Sequence, residues 1–150
     1  MTRFAALGDL SNLRIKSFEL GGHTFKVRVP LTKEMEEISD RIEQIPAEEI
    51  NERYKKMSSG FHNGEKIEGI EIKDDDVLVN GRSTRELAES AIKIERRVIE
   101  YFKLLVIDGD LDGLTYQEIE DSFPFSVQLE LITKISEAIQ PGYKEQRKNS

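Results

Sequence analysis

One long amphipathic helix is the sequence feature that most constrains the fold. Its apolar residues recur about every 3.5 positions, the spacing that places them on one helix face. They are Leu87, Ala91, Ile94, Val98, Tyr101 and Leu105, and Phe102 widens the stripe. Ser83 and Glu86 precede the stripe with the spacing of a capping box. The pattern predicts a helix of about 23 residues, roughly 34 Å long, which Asp108 and Gly109 end.

The N-terminal part alternates between apolar and polar residues, which is the period of a half-buried strand. The apolar positions are Phe18, Leu20, Phe25, Val27 and Val29. Gly21 and Gly22 separate the two runs, and glycine accepts the positive φ of a tight primed turn. The sequence therefore predicts a β-hairpin over residues 14–29, preceded by a loose N-terminal arm over 1–13.

Two helices are predicted after the hairpin. The first begins at Thr32 as N-cap, ends before Pro46, and carries one apolar stripe: Met35, Ile38, Ile42 and Ile45. The second carries Ile50, Tyr54 and Met57 and ends at Ser58–Gly60. Residues 61–82 then form a polar, Gly-rich insertion. Its apolar pieces around Ile70–Ile72 and Val77–Val79 predict either a small second hairpin or a long loop.

Two more helices are predicted near the C-terminus. Thr115 and Glu118 form a second capping-box sequence, which opens a short helix to about Ser122. A last helix runs from Pro124 to Ile139. Its apolar arc is wide: Val127, Leu131 and Ile135 lie on one face, and Ile132 and Ile139 lie on an adjacent one. Pro141 and Gly142 end it, and residues 142–150 are predicted to be a disordered tail.

These elements predict an α+β fold that is mainly α. An N-terminal β-hairpin is followed by a small bundle of four to five helices, in a single domain over 14–141 with a helical body over 32–139. The 150 residues include no Trp, and 7% are aromatic. The core is therefore expected to consist mainly of Ile, Leu and Val.

Composition and charge exclude several classes of function. The net charge is -7, whereas a nucleic-acid-binding protein needs a basic surface. The absence of cysteine excludes disulfides, thiolate catalysis and Cys-ligated zinc. No apolar run approaches the length of a membrane span or a signal peptide. The sequence predicts a cytoplasmic protein that binds neither nucleic acid nor membrane.

Candidate metal ligands have simpler explanations. Asp108, Asp110 and Asp112 occupy the first, third and fifth positions of an EF-hand-like loop. The twelfth position, which must supply a bidentate carboxylate, is Ile119. A polar loop between helices is the favoured interpretation, and weak calcium binding is the alternative. The acidic run Asp74–Asp76 and the two histidines, His23 and His62, are likewise interpreted as structural or exposed.

No residue is predicted to be catalytic or to bind a cofactor. The sequence contains no phosphate-binding glycine loop and no nucleophile elbow. An enzyme whose site escapes motif analysis stays an alternative, which an apolar pocket with converging polar groups would favour.

The apolar stripes are candidates for protein binding. The stripe from Leu87 to Leu105 is explained by core packing or by a partner-binding helix face. Phe123 and Phe125 bracket Pro124 as a hydrophobic staple or as an exposed anchor, and we favour the staple. The candidate binding residues are Leu87, Ile94, Val98, Tyr101, Phe123, Phe125, Val127, Leu131 and Ile135.

The C-terminal third resembles a known family. Leu114–Glu120 and Phe123–Leu131 are similar to the tail assembly chaperones of long-tailed bacteriophages, and the layout of a hairpin before a helical body is similar too. The resemblance is greatest over residues 83–141, and the insertion at 61–82 has no counterpart in it.

The resemblance implies a non-enzymatic function. A chaperone of this family self-associates in the host cytoplasm, binds and solubilises the tape measure protein, and helps recruit tail tube subunits. It is not expected in the mature virion. A calcium-responsive helix-loop-helix module using Asp108–Asp112 is the alternative function.

Overall fold

The computed structural model describes residues 3–61, 68–73 and 75–140. The fold is α+β and mainly α, which confirms the predicted fold class: a hairpin is followed by five helices and a small three-stranded sheet. The strands are β1 Ile15–Leu20, β2 His23–Arg28, β3 Ile70–Ile72, β4 Val77–Val79 and β5 Arg82–Ser83. The helices are α1 Thr32–Glu43, α2 Ala47–Ser58, α3 Thr84–Phe102, α4 Tyr116–Ser122 and α5 Phe125–Ile139.

The chain divides into two compact units, and the division falls within α1 and α3. Unit 1 comprises the described residues of Met1–Ile38 and Val98–Ser150, and unit 2 comprises those of Ser39–Arg97. The single domain expected over 14–141 stays a prediction. Pro141 and the tail at 142–150 lie outside the described residues.

Unit 1 contains the predicted hairpin. Ile15 lies opposite Arg28, and Leu20 lies opposite His23. Gly21 and Gly22 have φ angles of 58° and 80°, as a type I′ turn requires. The hairpin is therefore confirmed. The arm ahead of it contains two short 3-10 turns, at Ala5–Leu7 and Ser11–Arg14, where a loose arm had been expected.

Helix α3 ends at Phe102, so the prediction that it continues to Asp108 is wrong. The next residues pair with β2: Leu105 bridges Val27, the Arg28 amide donates to the Leu104 carbonyl at 2.8 Å, and the Val106 amide donates to Lys26 at 2.9 Å. The short apolar run at 104–107 suits a helix or a strand by periodicity alone. The hydrogen bonds to the edge of β2 hold the segment in the extended form.

The buried hydrophobic side chains of unit 1 are mostly aliphatic, as expected. They are Val27, Ile38, Val98, Tyr101, Phe102, Leu104, Ile119, Leu131, Ile132, Ile135 and Ile139. Helix α5 contributes four of them, which confirms its wide apolar arc. Helix α4 begins with the predicted capping box: the Glu118 amide donates to the Thr115 hydroxyl, and the Glu118 carboxylate accepts from the Thr115 amide at 2.8 Å.

Unit 2 contains a three-stranded antiparallel sheet where the sequence predicted a hairpin or a loop. Strand β4 pairs with both β3 and β5. Asn80 and Gly81 turn the chain between β4 and β5 with φ angles of 52° and 81°, again a type I′ turn. Tyr54, Val77 and Ala88 form the core of this unit. Ile70 and Val79 of the sheet pack against this cluster, so the sheet contributes to the core of unit 2 although the insertion at 61–82 is polar overall. Lys73 and Asp75 lie between β3 and β4, and Asp74 and His62 lie outside the described residues.

Asp76 fixes the start of α3. Its carboxylate accepts hydrogen bonds from the Ser83 hydroxyl, from the Val77 amide at 2.8 Å and from the Arg85 amide at 3.1 Å. Desolvation opposes ionisation, but these hydrogen bonds outweigh it and lower the pKa of Asp76. The Glu86 amide donates to the Ser83 hydroxyl at 3.2 Å, which is one of the two hydrogen bonds of the predicted capping box. Asp76 is a capping group that the local sequence pattern did not indicate.

Helices α2 and α3 of unit 2 are joined by ion pairs. Arg53 forms a bidentate pair with Glu95 at 2.9 and 2.7 Å, and Arg96 contacts Glu49 at 2.5 Å. The buried face of α3 in this unit is formed by Thr84, Ala88 and Ile92. In this unit the buried face of α3 is therefore not the predicted apolar stripe, because Leu87 and Ile94 of that stripe are exposed.

Candidate protein-binding groove

An apolar groove of about 560 Å³ opens on unit 1. Three parts of the chain line it: strand β2 with the last residue of α3 and the adjoining residues 105–107, the loop before α4, and α4 with the residue that follows it. The apolar lining residues are Phe25, Phe102, Leu105, Val106, Ile107, Leu111, Leu114, Ile119 and Phe123. The polar lining residues are Thr24, Lys26, Glu118 and Ser122. A surface of this composition suits the apolar side chains of a ligand better than a polar substrate.

The wall formed by β2 and segment 104–107 is held by backbone hydrogen bonds. Leu105 bridges Val27 within this pairing, and the next two residues, Val106 and Ile107, line the groove together with it. Val106 and Ile107 are both exposed at the rim, and Ile107 has 49% of its surface accessible. The apolar lining of the groove is thus open to solvent at this edge.

The opposite wall depends on α4. Ile119 is buried on the inner face of this helix, and the Phe123 amide donates to the Ile119 carbonyl at 2.8 Å as the helix ends. The ring of Phe123 meets that of Phe102 edge to face, with 5.5 Å between centroids. This geometry is favourable for aromatic pairs. It holds Phe123 in the lining of the groove.

A buried glutamine supports this wall. Gln128 of α5 is 2% exposed. Its amide nitrogen donates to the Phe123 carbonyl at 2.9 Å, and its amide oxygen accepts from the Tyr116 hydroxyl at 3.0 Å. One side chain therefore links the start of α4, its end and α5.

The predicted hydrophobic staple at Phe123 is replaced by a polar one. A hydrophobic staple would pair Phe123 with the fourth residue of α5, which is Gln128. The contact that fixes the entry to α5 is instead the hydrogen bond from this side chain to the Phe123 carbonyl. Phe125, on the far side of Pro124, is exposed.

The predicted binding residues fall into three groups. Val98, Tyr101, Leu131 and Ile135 are core residues, and in this conformation they form no exposed surface. Leu87, Ile94 and Phe125 are exposed, and Val127 is half-buried. Phe123 alone among the nine lines the groove. The sequence pattern did not indicate most of the groove, because the groove is assembled from residues up to 99 positions apart, from Thr24 to Phe123.

The aspartate loop does not assemble a metal site. The Asp112 amide donates to the Asp110 side chain at 3.0 Å, which is a local turn contact. Within residues 3–61, 68–73 and 75–140, no three acidic or histidine side chains are grouped so that they could hold a metal ion. The same part of the chain contains no helix with the length and hydropathy of a membrane span.

Fold and groove together describe a mainly helical α+β protein with an open apolar groove on unit 1. Comparison with known protein families, with curated proteins and with solved structures found no match. The resemblance to tail assembly chaperones therefore stays a prediction from the sequence.

Proposed function

We propose that this protein is a non-enzymatic tail assembly chaperone that binds apolar helical segments of a partner protein in the groove of unit 1. The observation that carries the proposal is the apolar lining of the groove, which includes the exposed side chains of Val106 and Ile107 at its rim. Amphipathic helices bind such grooves with side chains at positions i, i+3, i+4 and i+7. The tape measure protein implied by the resemblance is a long helical protein with stripes of this kind.

The charge of the chain supports a solubilising function. A chaperone must cover apolar surface on its partner while it keeps the complex in solution. The net charge of -7 supplies the repulsion between complexes that solubility needs. The same proposal includes recruitment of tail tube subunits, action in the host cytoplasm, and absence from the mature virion.

Co-expression with a tape measure protein tests the proposal. The complex is isolated by size-exclusion chromatography and its mass is measured by light scattering. We expect co-elution, and we expect the partner to aggregate when it is expressed alone. If the partner is soluble alone and the two never co-elute, the chaperone function is wrong.

Two matched substitutions locate the binding surface. Ile107→Glu places a charge at the groove rim, and Ile72→Glu places the same charge at a similarly exposed position of β3, with 49% and 46% exposure in the native protein. The loss of one well-buried apolar anchor weakens binding by roughly tenfold or more. We expect this loss for Ile107→Glu only. Equal affinity of the two variants would exclude the groove as the binding surface.

A further inference from the structure

The net negative charge of the chain comes from one continuous stretch of sequence. Residues 104–133 contain seven acidic side chains and no Lys, Arg or His. The whole chain has 29 acidic and 22 basic residues, so the other 22 acidic residues balance the 22 basic ones, and the net charge of -7 equals that of this stretch. The seven acidic residues, all exposed, are Asp108, Asp110, Asp112, Glu118, Glu120, Asp121 and Glu130.

Most of these carboxylates adjoin the groove of unit 1. Glu118 belongs to the groove lining. Ile107, Leu111 and Ser122 of the lining each have acidic neighbours in the chain. These neighbours are Asp108, Asp110, Asp112 and Asp121. The wall formed by α4 and the loop before it is therefore bordered by five exposed carboxylates.

The carboxylates of this wall are not neutralised by the chain itself. In the part of the chain that the structure describes, no ion pair includes an acidic residue of 104–133. Their hydrogen bonds are local: Glu118 caps α4, Asp110 accepts from the Asp112 amide at 3.0 Å, and Asp121 accepts from Gln117 at 2.8 Å. Their negative charge is thus available to a partner.

The two walls of the groove differ in charge. Strand β2 lines the groove with Thr24, Phe25 and Lys26, and neither this strand nor residues 104–107 contain an acidic side chain. Cations on a bound ligand are therefore attracted to the wall of α4, whereas Lys26 repels them from the wall of β2. The apolar lining between the walls accepts the apolar side chains of the ligand.

We infer that the groove selects amphipathic helices whose apolar stripe is flanked on one side by Lys or Arg. The inference rests on the groove binding apolar helical segments, as proposed above, and adds the chemistry that distinguishes one such segment from another. An apolar stripe alone fits any apolar groove. A charged border supplies specificity, because it attracts a basic flank, accelerates its association and disfavours an acidic flank.

Three synthetic helical peptides test this selection. They share one stripe of Leu at positions i, i+3, i+4 and i+7, and the positions along one side of it are Lys, Gln or Glu, which have similar helix propensities. Binding to the full-length chain is measured by isothermal titration calorimetry. We expect the Lys peptide to bind at least about tenfold more tightly than the Gln peptide, and the Glu peptide to bind most weakly.

Salt dependence supplies an independent readout on the wild-type chain. Salt at about 1 M shortens the Debye length to about 3 Å, so the preference for the Lys peptide should fall to about twofold or less. The affinity of the Gln peptide should not weaken, since its binding is apolar. A preference for the Lys peptide that is unchanged at high salt contradicts an electrostatic origin.

A triple variant locates the selecting charges. Asp110→Asn, Asp112→Asn and Asp121→Asn together remove three exposed carboxylates and keep side chains that accept the same local hydrogen bonds. Glu118 is left in place because it caps α4. We expect the Lys peptide to lose at least about fivefold in affinity for this variant, and the Gln peptide to bind as to wild type.

The matched control changes the net charge by the same amount elsewhere. Glu36→Gln, Glu37→Gln and Asp40→Asn remove three exposed carboxylates of α1, and the Lys peptide should bind this variant as it binds wild type. Equal losses in the two triple variants would overturn the inference, because net charge rather than the groove border would then act. Equal binding of all three peptides to wild type overturns it too, but leaves apolar binding by the groove intact. If no peptide binds, the proposed function fails together with the inference.

Discussion

Substitution of Gln128 by Leu removes the polar link between α4 and α5. Gln128 is 2% exposed, and its side chain makes hydrogen bonds of 2.9 Å and 3.0 Å to the Phe123 carbonyl and the Tyr116 hydroxyl. Each bond contributes about 1 kcal/mol net, and a buried group that loses its partner costs about 1 kcal/mol more. The apolar transfer of Leu offsets part of this loss. We expect Gln128→Leu to lower the free energy of unfolding by about 2 kcal/mol.

Urea denaturation followed by circular dichroism measures this change. Gln117→Leu is the control, because Gln117 is exposed and its bond of 2.8 Å to Asp121 lies on the surface of α4. Leu and Gln have similar helix propensities, so the control isolates burial from propensity. We expect the control to change stability by less than about 0.5 kcal/mol.

A double-mutant cycle with Tyr116→Phe separates the two bonds of Gln128. The expected coupling between positions 116 and 128 is about 0.5–1 kcal/mol. If Gln128→Leu were as stable as the wild type, or no more destabilised than Gln117→Leu, the network would not hold the groove wall. The same variant is expected to weaken partner binding, since Phe123 loses the contact that positions it.

Other substitutions test the hairpin, the core and the cap of α3. Gly22→Ala is expected to lower the free energy of unfolding by about 1–2 kcal/mol, because φ at this position is 80° and alanine is strained there. The control Gly60→Ala should leave the stability unchanged in the same urea assay, because φ at Gly60 is not positive. Val27→Ala should cost about 2 kcal/mol, since this residue is fully buried between β1 and segment 104–106. Asp76→Asn should cost about 1 kcal/mol near neutral pH. Because the folded-state pKa of Asp76 is lowered, its stabilising contribution is complete above the ordinary value of 3.8 and is lost as pH falls below it, so wild type and Asp76→Asn should converge in acid.

The secondary structure was largely predictable because its signals are local. Glycine pairs mark a turn that requires positive φ, as at Gly21 and Gly22. Thr115 and Glu118 mark a helix start because both partners of the capping box lie within one turn. Prolines and apolar periodicity are local signals of the same kind: Pro46 lies between α1 and α2, and Pro124 immediately precedes α5.

The end of α3 was not predictable from local pattern. Leu104–Ile107 continues the helical periodicity, yet Leu105 pairs with Val27, which lies 78 residues earlier. Similarly, Leu87 and Ile94 fit a buried stripe by spacing, and the packing of Ala88 and Ile92 turns them outward.

The sequence by itself determined the fold class, the turns and most helix boundaries, because hydrogen bonds within a few residues control them. Only the tertiary structure decided which apolar residues form the core and which form the groove. Phe25, Ile107 and Phe123 come from three separate parts of the chain, and no local period relates them. Their proximity results from pairing along β2 and from the buried link at Gln128, which are interactions between distant parts of the chain.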